Sequence, residues 1–149
     1  ISLALARFQG VKRRMEILAS CEDYVIYDDF AHHPTEIFKT LSSLREKIGN
    51  DQIIAVIEPR SRTMQSGLHD KEMAKALSPA DSVIWYEGQD VKRSMSAELK
   101  KAKAEVYFAA NISEIIQITR QIKTTKSNIV IMSNGDFSGL RELIKKELD

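Results

Sequence analysis

Ile53-Ile54-Ala55-Val56-Ile57 is a run of five apolar residues, four of them β-branched, with no polar position to turn toward water. A strand with one wet face alternates apolar and polar residues. This run does not alternate, and it reads as a strand buried on both faces in the interior of a parallel sheet. Upstream the period is helical: Ile37, Leu41, Leu44 and Ile48 share one face, Pro34 suits the first turn and Gly49 the stop. Further upstream, Met15–Leu18 and Tyr24–Tyr27 are β-prone runs around the polar Ser20-Cys21-Glu22-Asp23, so the sheet is expected to begin with an antiparallel hairpin.

Downstream, strands and helices continue to alternate. Helices are expected at about 70–77, at a short segment ending near Glu98–Ala102, at Ile112–Ile122 and at Leu140–Leu148. Strands are expected at Ser82–Trp85, Val106–Phe108 and Ile129–Met132. The pattern predicts one α/β domain over residues 1–149: a Rossmann-like, doubly wound, mostly parallel sheet of about six strands, with an antiparallel N-terminal strand and helices on both faces. Ligands of such sheets bind outside the carboxyl ends of the strands, which directs attention to the loops after Tyr27, Ile57, Trp85 and Met132.

Composition narrows the function. The 149 residues, 43% hydrophobic, suffice for one sizeable core. Twenty-two basic residues against twenty-one acidic ones give a formal charge of +1, so no global field draws the chain to nucleic acid or an anionic membrane. No apolar run approaches the roughly 20 residues a membrane span needs. The single cysteine, Cys21, cannot form an internal disulfide, which fits a reducing, cytoplasmic setting. The start, Ile1–Ala6, lacks an initiator Met and a basic leading segment; it does not read as a signal peptide and looks cut from something longer.

Three loops carry chemistry. Asp28-Asp29-Phe30-Ala31-His32-His33-Pro34-Thr35-Glu36 sets two carboxylates and two imidazoles between a strand end and a helix start. Carboxylates there can accept from ribose hydroxyls or hold a cation, and a histidine at a helix N-terminus can contact an anion; equally, Asp28 and His33 can simply cap the turn and helix. Glu58-Pro59-Arg60-Ser61-Arg62-Thr63-Met64 offers two guanidiniums that can clamp a carboxylate or phosphate, or remain solvated. Met132-Ser133-Asn134-Gly135-Asp136-Phe137-Ser138-Gly139 opens the last helix with donors and flexible glycines. Neither G-x-x-x-x-G-K-[ST] nor G-x-G-x-x-G occurs, so no complete nucleoside-triphosphate site is present.

Read in order, Phe8, Gly10-Val11-Lys12-Arg13-Arg14-Met15-Glu16, the Asp28–Thr35 block, Glu58-Pro59-Arg60-Ser61-x-Thr63-Met64 and Met132-Ser133-Asn134-Gly135 resemble the C-terminal domain of Mur ligases. The second block is shared with the L-alanine-adding branch, which usually has Tyr-Gly where this chain has Phe30-Ala31. The third is similar to the murein-peptide ligase branch. The resemblance implies a three-domain, ADP-forming amide ligase whose N-terminal domain holds UDP-N-acetylmuramate and whose central domain holds ATP and Mg2+. This domain would close over both, be inactive alone, and help join L-Ala-γ-D-Glu-meso-diaminopimelate to the sugar in peptidoglycan recycling. Residues 1–14 would form the interdomain hinge and domain entry.

Carried over by motif, Arg14, rather than Arg13, matches an arginine that reaches ATP phosphate, and Asp29 an acidic residue that holds the ribose. His32 matches a position facing the incoming amino substrate, Arg60 and Ser61 a loop reading peptide carboxylates, and Ser133 and Asn134 the last substrate loop. No metal ligands are expected in this domain. Arg62 stands where Asn is common and Asp136 where Gly is usual. A rival reading is a receiver-like or flavodoxin-like module using Asp28-Asp29 as an acidic pocket, although Ser133-Asn134-Gly135 replaces the lysine such a pocket wants after its last strand.

Overall fold

The computed structural model describes residues 13–60, 64, 66, 69–89 and 94–148. Six strands form one sheet: β1 Glu16–Ser20, β2 Tyr24–Asp29, β3 Gln52–Ile57, β4 Ser82–Tyr86, β5 Glu105–Ala109 and β6 Ser127–Met132, in the order β1-β2-β6-β3-β4-β5. Only β1 is antiparallel, paired to β2 through a bulge between Ile17 and Ala19. The helices are α1 Pro34–Ile48, α2 Asp70–Ala76, α3 Ser96–Leu99, α4 Ile112–Ile122 and α5 Leu140–Leu148.

Alternate residues of each buried strand face opposite ways, and the two faces fill two cores. Ile53, Ala55 and Ile57 pack with Leu41 of α1, Met73 of α2 and Leu99 of α3. Ile54 and Val56 pack with Ile115 of α4 and with Leu140 and Ile144 of α5. The uninterrupted Ile53–Ile57 run is needed because β3 is covered on both sides, as the sequence predicts.

Local chemistry sets the boundaries. α1 begins at Pro34 with His33 as N-cap, its Nδ1 accepting the Thr35 N–H at 3.3 Å, and ends at Gly49, whose φ is 65°. Asn111 caps α4: its Oδ1 accepts the Glu114 N–H at 2.9 Å, while Glu114 reaches back to the Ala110 N–H at 2.8 Å. Asn111→Ala is expected to cost about 1 kcal/mol. Thermal unfolding should show this as a midpoint lowered by about 2–4 °C.

Two expectations are corrected. α3 ends at Leu99 instead of running to Ala102, because Lys100, Lys101 and Lys103 follow and supply no apolar face for a further turn. β2 runs two residues beyond Tyr27, since Asp28 and Asp29 pair in register with Ile131 and Met132 of β6. The adjacent aspartates therefore sit inside a strand end and point to opposite faces.

Candidate functional site

Strands β2 and β3 lead into helices on one face of the sheet, while β6 between them leads to α5 on the other. Chains that depart to opposite faces open a crevice at the carboxyl end, and the chemistry-bearing loops meet there.

Asp28 and Asp29 do different work on the two faces. Asp28, only 2% exposed, lies between two arginines: Arg141 Nε of α5 donates to Oδ1 at 2.8 Å, and Arg13 Nε is 3.3 Å from Oδ2. Asp29 Oδ1 accepts the Ala31 N–H at 2.9 Å, an Asx turn, and Oδ2 accepts the Met15 N–H at 2.9 Å. Thr40 of α1 adds its hydroxyl to Oδ1 at 3.5 Å. Burial pushes the Asp29 carboxyl above its ordinary range, opposed by those two amides, by the charge of Arg14 and by Thr40. The turn is thus held by Asp29, not Asp28, and no shared acidic pocket forms. That removes the receiver-like reading.

Arg13 and Arg14 also separate. Arg13 turns inward, its guanidinium 5.1 Å from the Phe30 ring centroid, and donates to the carbonyls of Ser133 and, at 2.8 Å, Gly135. Arg14 is exposed and lines a cavity of about 410 Å³ with Asp29, Tyr27, Lys39, Thr40 and Lys47. The cavity brings together the two residues expected at a nucleotide.

His32 is half-buried on the loop after β2; its Nδ1 lies 3.0 Å from the Phe30 carbonyl and 3.6 Å from Glu36. Donation from Nδ1 to that carbonyl would leave Nε2 as the acceptor nitrogen. The neighbouring His33, committed to its cap, stacks edge-on against His69 with ring centroids 4.7 Å apart.

Across the crevice, Glu58 is buried and accepts from the Ser133 hydroxyl, which in turn accepts the Gly135 N–H at 2.9 Å. Ser133 is fully buried, so it shapes the loop from beneath. Arg60 is exposed and drapes over Gly135 so closely that a Cβ there would lie 2.5 Å from its Nη1. A side chain at 135 would push this exposed, flexible guanidinium aside, so glycine there is what lets Arg60 lie over the loop in this position. Asn134 Oδ1 is buried without a hydrogen-bond partner. Ser61 and Arg62 lie outside the described residues.

Sequence reasoning left Glu58, Thr40 and Arg141 without a role and passed over Arg13. Glu58 could have been singled out as a carboxylate directly after a doubly buried strand. Arg141 could not, because nothing in the α5 sequence tells which of its charged residues turns back to the sheet. Among the described residues no group of three or more His, Cys, Asp or Glu side chains could hold a metal ion. Nor is any described helix long and apolar enough to cross a membrane.

A family model described as the Mur ligase, glutamate ligase domain matches residues 13–135. The UDP-N-acetylmuramate–L-alanyl-gamma-D-glutamyl-meso-2,6-diaminoheptandioate ligase of Haemophilus influenzae is 35% identical over 146 residues, 97% of this chain and 32% of the relative. The UDP-N-acetylmuramate–L-alanine ligase of Streptococcus agalactiae is 49% identical over 139 residues, 89% of this chain and 30% of the relative. Among solved structures, a murein peptide ligase from Psychrobacter arcticus superimposes with a TM-score of 0.84 at 34% identity, covering 98% of this chain and 32% of that one. The chain spans about a third of the length of these relatives. With the match running from Arg13 to Gly135, most of its length, this chain belongs to the Mur ligase family as its glutamate ligase domain.

Proposed function

We propose that this domain closes the active site of an ATP-dependent ligase that joins L-Ala-γ-D-Glu-meso-diaminopimelate to UDP-N-acetylmuramate, in the cytoplasm, where both ATP and the UDP-sugar reside. The observation that carries this reading is Arg60: an exposed guanidinium, seated on Gly135 at the mouth of the crevice, facing a loop built on Glu58 and Ser133. A planar cation in that position suits bidentate capture of a peptide carboxylate.

In the reaction the γ-phosphoryl of ATP passes to the lactyl carboxylate of the sugar, giving an acyl phosphate and ADP. The peptide amine then attacks the carbonyl carbon, phosphate departs and the amine loses a proton. Magnesium neutralises charge in such transfers. On the family resemblance it is assigned to the central domain. The present domain supplies position. Arg14 and Asp29, on one cavity, are assigned to the phosphate and ribose of ATP, although most of the Asp29 acceptor capacity is already spent on Met15, Ala31 and Thr40. His32 is assigned to the side of the incoming amine, and Asn134, with Ser61 from the adjoining loop, to the peptide. Aligning amine and acyl phosphate is the service such a domain performs, since a held pair reacts as one molecule. Residues 1–14 serve as hinge, and the domain alone is inactive.

A second reading, addition of L-alanine, is favoured by the 49% identity to the Streptococcus agalactiae enzyme. Phosphate release by the full-length ligase decides between them. Turnover is expected with UDP-N-acetylmuramate and the tripeptide but not with L-alanine. Arg60→Ala should lower kcat/KM for the tripeptide roughly 10- to 100-fold, the worth of a charge-assisted hydrogen-bonded pair. Turnover with L-alanine alone would move the protein to the other branch, and turnover with neither would end both readings.

A further inference from the structure

The loop from Ser133 to Asp136 is held by two arginines from distant parts of the chain. Arg13, at the domain entry, donates to the carbonyls of Ser133 and Gly135; Arg141, in the first turn of α5, donates to Gly135 O at 3.1 Å and Asp136 O at 2.7 Å. Both guanidiniums pair with the buried Asp28. One carboxylate thus fixes two cations, and the cations fix three carbonyls of one loop.

Arg13 is itself tightly placed. Its carbonyl accepts the Phe30 N–H at 2.8 Å and its own N–H donates to Glu16 Oε2 at 3.0 Å. Arg13 and Met15 have φ of 59° and 50°, a left-handed conformation that non-glycine residues hold only when their surroundings impose it. The entry turn is therefore one defined conformation. If it changes, the Arg13 guanidinium must leave the Ser133 and Gly135 carbonyls.

We propose that Arg13 and Arg141, bridged by Asp28, are positioning residues for the Ser133–Asp136 loop, and that Arg13 ties the shape of this loop to the direction from which the chain enters the domain. The proposal rests on the ligase reading only for the loop's role in holding peptide. Movement of the preceding chain, as in opening and closing of a multidomain enzyme, would then loosen or set the peptide side of the site through Arg13. Arg14, next in sequence but outside the clamp, is free to follow the nucleotide.

Hydrogen exchange and steady-state kinetics on the full-length ligase, comparing wild type with Arg13→Gln and Arg13→Lys, test this. In Arg13→Gln the amides of residues 133–137 are expected to exchange about tenfold faster, with β3 and β6 unchanged. KM for the tripeptide should rise about tenfold while kcat and KM for ATP stay within about twofold, the pattern of a lost binding geometry. Arg13→Lys, keeping the charge but not the planar fork, should fall between the two. Unchanged exchange at 133–137 would overturn the proposal. So would a uniform rise in exchange with a lower thermal midpoint, which marks a purely structural residue. If the wild type fails to turn over tripeptide, the ligase reading fails, and the exchange measurement still decides the clamp.

Discussion

Asp28→Ala is expected to lower the unfolding free energy by roughly 3–5 kcal/mol, the range seen when one partner of a buried ionic cluster is removed. Among the described residues Asp28 is the anion that pairs with both Arg13 and Arg141, and their side chains are 29% and 14% exposed, so water can replace little of what the carboxylate supplies. Arg141 already has one Nη2 buried without an acceptor, and alanine would add to that deficit. Asp28→Asn should cost less, since its amide oxygen can still accept from one guanidinium. Denaturant titration of the two variants gives the comparison. Equal stability of wild type and Asp28→Ala would mean that the arginines find other partners and that the cluster contributes nothing net.

A loss of similar size, about 3–5 kcal/mol, is expected for Phe137→Ala. Phe137 is fully buried in the core beneath α4 and α5, with its ring edge-on to Tyr86 at 5.3 Å between centroids. Its φ of 54° is a conformation that bulky residues avoid. Burial of the ring offsets that backbone cost, and alanine would keep the strain while losing the burial. Because Phe137 directly follows the Ser133–Asp136 loop, on the function proposed above the same change should also raise the tripeptide KM of the full-length ligase. Phe137→Leu, which refills most of the space, should recover much of the stability; failure to do so would point to the aromatic contact instead of volume.

How far the sequence could be read differs between elements. The helices Pro34–Ile48, Ile112–Ile122 and Leu140–Leu148 have the bounds their periodicity and caps predict, because each amphipathic face and stop signal is local. The order of strands was not legible: nothing in Ile129–Met132 tells that this last strand lies between β2 and β3. At the site, the crevice-forming loops were legible as clusters of polar residues after apolar runs. The division of labour inside them was not. Asp28 and Asp29 differ only in pleat parity, which depends on β2 continuing two residues further than its apolar pattern. Arg13 and Arg14 differ only through a left-handed turn at Arg13 that no residue type announces. The inward role of Ser133 likewise follows from Glu58, which reaches it across 75 positions of sequence.

The placement of β6 also bears on how the chain assembles. Every residue of this strand is buried, and it joins β2 to β3 on either side, yet it is the last of the six strands to be synthesised. Until residues 127–132 arrive, β2 and β3 each expose an unpaired edge of apolar backbone, the kind of edge that templates aggregation. Their closure demands contacts about seventy-five to a hundred positions apart in sequence, from Gln52 and Tyr24 to Ser127. High contact order of this kind slows folding. A nascent chain therefore carries its stickiest surfaces longest, and the keystone of the sheet is also the strand that delivers the Ser133–Asp136 loop.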